Sequence, residues 1–180
     1  MLRRLLAALA ANWLTIRVVG AFILLIVVFF SAMTYTPLVR RFDIASLIAQ
    51  LAAWMAWLLL KVLGLVVGFD IFKNGTILGS GPFEVDVSPA CSGAVPTMIY
   101  LAAVFAYPAS GRAKLIGAAL GMAIIHTVNV IRVSSLFLIG LYFHRLFHET
   151  HVYVAQALVV AIAVATWLYW AGRFADAPGR

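Results

Sequence analysis

The sequence predicts an all-α polytopic membrane protein: a bundle of four to six transmembrane helices with a short extracytoplasmic β-hairpin. Three observations predict it. Of the 180 residues, 65% are hydrophobic and only 11% are charged, where a soluble domain is near half apolar and a quarter charged; such hydrophobicity also excludes disorder. The apolar residues gather into five stretches, most of them long enough to cross a bilayer. The basic excess, 13 Lys/Arg against 6 Asp/Glu for a net charge of +7, is scattered between those stretches. That is the pattern of cytoplasmic loops and not of the basic face of a nucleic-acid binder.

The elements follow in order. Arg3 and Arg4 before the short apolar run Leu5–Ala10 imitate a signal peptide, but Trp13, Arg17 and the longer run Val18–Pro37 point to an uncleaved first span. The second stretch is Ile44–Gly68, interrupted by Lys61. The third, Ser92–Pro108, crosses a hydrocarbon core of about 30 Å only if its ends are extended slightly; the fourth, Leu115–Phe143, and the fifth, Val152–Ala171, are long enough. The most polar connection is Asp70–Ala90, where Asn74-Gly75 and Gly79-Ser80-Gly81-Pro82 are turn signals. Ile77-Leu78 and the alternating Phe83–Val87 read as the strands of a hairpin with one apolar and one wet face. A structured loop explains it best; strand addition of an extended peptide is the lesser alternative. Residues 1–180 form one membrane domain: N-terminal helices over 1–69, the hairpin and the helices bearing the chemistry over 70–171, and a cytoplasmic tail over 172–180.

Charge orients the second half. Arg112 and Lys114 in one short loop, and Arg173 and Arg180 in the tail, lie two crossings apart and both belong inside. Asp70–Ala90 and the turn His144–His151 then lie outside. The first half gives conflicting signals, since Arg3, Arg4 and Arg17 and the pair Arg40-Arg41 each claim the inner side. Either Ile44–Gly68 lies along or dips into the outer face, or the N-terminus is outside.

Three groups carry candidate chemistry. Cys91 is the only cysteine, so it makes no intramolecular disulfide, and a single thiol on the outer side is a candidate reactive group. It precedes the third span, where the positive end of the helix macrodipole favours thiolate; a small buried residue or a palmitoylation site is the plain alternative. Ser92 and Gly93 offer a hydroxyl and a bare backbone N–H suited to an oxyanion. Arg132 cuts into the fourth apolar run about 27 Å above Lys114 at 1.5 Å per residue, which is Cys91's level. A charge there is a functional hypothesis by default, with a snorkelling side chain as the alternative. Arg132 stays protonated, so it serves to hold an anion, and Asn129 lies one turn beneath it. His144, His148 and His151 share one helical face. His148-Glu149-Thr150-His151 is one residue short of the zinc-protease pattern, and simple interfacial polarity explains such histidines better than a metal, or than haem on a pair that includes His126. His151 opens the last span, at the depth of Cys91 and Arg132. A thiol, a titratable base and a fixed cation from three helices at one depth make a coherent set. No metal or cofactor is expected. The competing class is a non-enzymatic membrane subunit or carrier in which Arg132 and the histidines form a buried polar network.

Ala90-Cys91-Ser92-Gly93, the later Asn129-x-x-Arg132 and a histidine at the start of the last span resemble the exosortase/archaeosortase family of membrane cysteine transpeptidases, over roughly Gly68 to Ala171. The short chain is similar to a compact, exosortase H-like subtype. The resemblance implies cleavage, at the outer face of the cytoplasmic membrane, of exported proteins that carry a C-terminal motif, a transmembrane helix and a basic cluster. It implies Cys91 as nucleophile, Arg132 at the oxyanion or scissile carbonyl and His151 in proton transfer, with His148 in reserve. Substrate proteins and the bilayer are the implied partners, and nucleic acid is not.

Overall fold

A computed structural model describes residues 12–35, 43–143, 145, 147 and 155–174. Among these are five long helices: α1 (Trp13–Thr34), α2 (Ile44–Val67), α3 (Ala94–Ala106), α4 (Gly111–Tyr142) and α5 (Ala155–Arg173). Between α2 and α3 lie β1 (Phe72–Asn74), β2 (Ile77–Ser80), β3 (Phe83–Asp86) and a 3₁₀ turn, Pro89–Cys91. By length and composition α1, α2 and α4 can each cross a membrane. α3 is shorter: its 13 residues rise about 20 Å, against about 48 Å for the 32 residues of α4.

α1 buries no residue and is apolar on all sides, as a helix facing lipid is; it lies along α3. Polar residues set the ends of α2. Asp43 accepts from the Ser46 N–H at 3.0 Å, and Gly68, left-handed at φ 86°, closes the last turn. Its buried stripe, Ala49, Ala52, Ala53, Ala56, Leu60 and Gly64, is made mostly of small residues that let backbones approach closely, and it faces α4. Lys61 does not interrupt the helix, lysine being a good helix former, and its ammonium lies 4.7 Å over the Trp57 ring.

The polar connection holds one strand more than the expected hairpin. The sheet is antiparallel in the order β1-β2-β3, with Phe72 opposite Gly79 and Ser80 opposite Phe83. Gly79-Ser80 lies inside β2 rather than in a turn, because the Phe72 ring occupies the space where a Cβ on Gly79 would sit. Both turns are two residues long and open on a glycine at positive φ, Gly75 and Gly81, the geometry that matches strand twist. The alternation holds: Phe83 and Val85 are half-buried while Glu84 and Asp86 are exposed. Leu78 and Val87 press the sheet onto Leu60 of α2 and Val133 and Phe137 of α4 in one core.

A second core joins α3, α4 and α5 around Tyr100, Ile125, Val159 and Trp170. Here α4 is notched. Side chains on Gly117 and Gly121 would run into Trp170 and Tyr100, and each ring uses its polar atom on the notched helix. The Tyr100 hydroxyl donates to the Gly117 carbonyl at 3.0 Å, and the Trp170 N–H donates to the Ala113 carbonyl at 2.8 Å. Gly121→Leu should therefore overpack this seam, at a cost of about 1–3 kcal/mol. A lowered unfolding midpoint in detergent is the expected result, and an unchanged one would show that α3 does not lean on α4 there.

Candidate functional site

Local sequence builds the segment before α3. Pro89 pre-sets the first position of the 3₁₀ turn, and the Cys91 N–H closes it on the Ser88 carbonyl at 2.9 Å. Ser92 is fully buried. Its hydroxyl donates to the Pro89 carbonyl at 2.7 Å and accepts from the Ala94 N–H at 3.3 Å. The hydroxyl is thus committed to the turn and to the helix start, which adjacency to Cys91 does not reveal. Gly93 is the N-cap of α3 at φ 83°. A Cβ there would lie 3.1 Å from Cγ of Asn129.

That close approach joins the two halves of the site. Asn129, wholly buried, donates from Nδ2 to the Cys91 carbonyl at 3.1 Å. Its Oδ1 accepts from Nη1 of Arg132 at 3.4 Å. Arg132 is only 7% exposed, so it does not snorkel, and among the described residues its Nε has no acceptor. Cys91 and Arg132, expected at one depth with Asn129 a turn beneath, are therefore linked through Asn129 in one hydrogen-bonded chain. Cys91 itself is half-buried and lines a cavity of about 360 Å³ together with β3, Ser88 and Phe147. His148 and His151 lie outside the described residues, as does His144.

Thr97 was not singled out by the sequence, and His126 only as a haem candidate. Thr97 donates its hydroxyl hydrogen to the Gly93 carbonyl at 2.8 Å and lies 3.5 Å from Nε2 of His126. His126, Asn129 and Arg132 thus form a polar stripe at i, i+3 spacing on α4; that spacing was the available signal. Glu84 and Asp86 also line the Cys91 cavity, and their alternation had pointed only to the sheet.

A family model described as Transmembrane exosortase (Exosortase_EpsH) matches residues 2–171. The chain belongs to the transmembrane exosortase family. Neither the curated proteins nor the solved structures compared with it gave a match.

In this exosortase, Gly93 is the position where backbone and packing constraints coincide. An alanine would be held in the left-handed region, at a cost of roughly 1–2 kcal/mol, and its methyl would push Asn129 off the Cys91 carbonyl. Gly93→Ala is therefore expected to lower the unfolding midpoint in detergent, by the equivalent of about 1–2 kcal/mol. An unchanged midpoint would show that the left-handed turn and the Asn129 bond are dispensable to the fold.

Proposed function

We propose that this exosortase is a cysteine transpeptidase or protease that cleaves C-terminal sorting signals of exported proteins at the outer face of the cytoplasmic membrane. One observation carries the reading. The half-buried thiol sits on a backbone turn whose carbonyl is tied through Asn129 to a buried guanidinium, and that guanidinium retains an unused N–H among the described residues. A buried cation with a spare donor is costly unless an anion arrives, and acyl transfer supplies one.

The Cys91 thiolate attacks the scissile carbonyl, forming a C–S bond and moving charge onto the oxygen, which Arg132 and the Gly93 N–H stabilise. Collapse breaks the C–N bond, and the leaving amine takes a proton from the general acid. The family resemblance gives that role to His151, with His148 as the alternative. The thioester is resolved by an amine acceptor, giving a new amide, or by water, giving an acid; either returns the sulfur as the leaving group. The substrate's own membrane helix reaches the bundle by lateral diffusion, so little soluble binding surface is needed. The test is processing of a co-expressed exported reporter bearing a C-terminal motif, membrane helix and basic cluster by wild-type and Cys91→Ala enzyme.

A further inference from the structure

The β3 strand is an edge of the sheet, since among the described residues only β2 pairs with it. Its hydrogen-bonding register follows from two facts. The Val87 N–H donates to the Thr76 carbonyl at 3.0 Å, and Ser80 and Phe83 close a two-residue turn. Closely bonded antiparallel pairs alternate, so Phe83, Val85 and Val87 spend their backbone groups on β2. Glu84 and Asp86 then direct theirs away from it. The Asp86 carbonyl accepts from the Ser88 N–H at 3.0 Å. The Glu84 N–H and carbonyl and the Asp86 N–H remain on the open edge.

That edge borders the Cys91 cavity. All four residues of β3 line it, together with Cys91 and Phe147. A void above one face of a strand touches alternate residues; one touched by four in succession lies along the strand's edge. Its volume, about 360 Å³, is within the range of ligand clefts. The chain leaves β3 through Ser88 and reaches Cys91 directly, so a peptide that follows the edge is led to the thiol. Exposed edges are usually blunted by charge, and the Glu84 and Asp86 carboxylates serve that purpose while leaving the backbone available.

We propose that the segment of the substrate next to its scissile bond binds as an added strand on the open edge of β3, which lays that bond against Cys91. This rests on the function proposed above and deepens it. Main-chain pairing supplies the affinity, and alternate side chains facing the cavity supply the selectivity.

The test is proline substitution at two outward-facing N–H groups in the full-length enzyme, assayed on the exported reporter. Glu84→Pro removes the donor on the open edge without touching the β2 ladder, a placement that edge strands tolerate. Lys73→Pro makes the same change on the opposite edge, in β1. Glu84→Pro should slow processing by about tenfold or more, as the loss of a backbone hydrogen bond does, while Lys73→Pro stays within about twofold of wild type. Protein amount and the alkylation rate of Cys91 should be unchanged in both. Wild-type rates in Glu84→Pro would overturn the proposal, and so would equal slowing in both variants, which reports general damage to the sheet. A fall in Glu84→Pro amount or an altered alkylation rate would also overturn it, by showing that the chain itself uses this edge. Cys91→Ala run alongside separates the two levels. Continued processing there removes the enzymatic reading and the strand pairing with it, whereas loss in Cys91→Ala with normal Glu84→Pro removes the strand pairing alone.

Discussion

Cys91→Ala should reduce reporter processing to the assay background, a fall on the order of a million-fold if thiol attack carries the reaction, as removal of a nucleophile does in hydrolases. The substitution removes one sulfur from a half-buried position and leaves the turn intact, because the bonds that make it run through the Cys91 backbone and the Ser92 hydroxyl. Its cost in stability is about 1 kcal/mol or less, so an inactive variant should still insert at wild-type levels. Cys91→Ser keeps the size but offers a far weaker nucleophile at neutral pH, and it should fail nearly as completely. Labelling wild-type protein in intact cells with a membrane-impermeant thiol reagent, across a pH series, reports both the side of Cys91 and its thiolate character. Processing that continues in a well-inserted Cys91→Ala protein would reject the enzyme.

The second large effect is at Arg132, where activity and stability should part company. Arg132→Met keeps the length and apolar stem of the side chain and removes the charge. Loss of an oxyanion donor is worth about 10²–10³ in rate, and processing should fall by that much. Stability should change little, by about 1–3 kcal/mol at most, because the change removes a 7% exposed guanidinium with an unanswered N–H and takes from Asn129 only a 3.4 Å donor. The carrier reading predicts the reverse: a polar network that holds the bundle together would collapse without its cation. Unfolding midpoint and processing rate measured on the same Arg132→Met preparation decide between them. Arg132→Lys refines the result, since it restores charge without the planar fork and should recover little activity.

Periodicity made the helices readable from the residues. The apolar stretches found α1 to α5 within a few positions, and the rise of about 1.5 Å per residue put Arg132 near Cys91, to which Asn129 joins it. The unread features are those that depend on which face meets which. Gly117 and Gly121 look like ordinary glycines of an apolar helix until Trp170 and Tyr100 are seen to fill their notches. β1 is too short and too mixed in polarity to show alternation, and only the Phe72 ring over Gly79 explains it. Ser92 suggested an oxyanion donor by adjacency, yet burial turned its hydroxyl inward onto Pro89. Asn129-x-x-Arg132 gave the spacing but not the direction, and it is the direction of Nδ2 that couples α4 to the Cys91 carbonyl.

The 13-residue length of α3 bears on lipid as well as on chemistry. Where the Lys114 ammonium holds the Phe105 carbonyl at 2.7 Å, the lower end of this helix is anchored at the level of a charged side chain. From there the short helix rises about 20 Å, against a hydrocarbon core of about 30 Å. A mismatch of that kind is met by tilting or by local thinning of the bilayer, at fractions of a kcal/mol for each ångström. Labelling of Cys91 is therefore expected to run faster in vesicles of short-chain lipid than in thick ones.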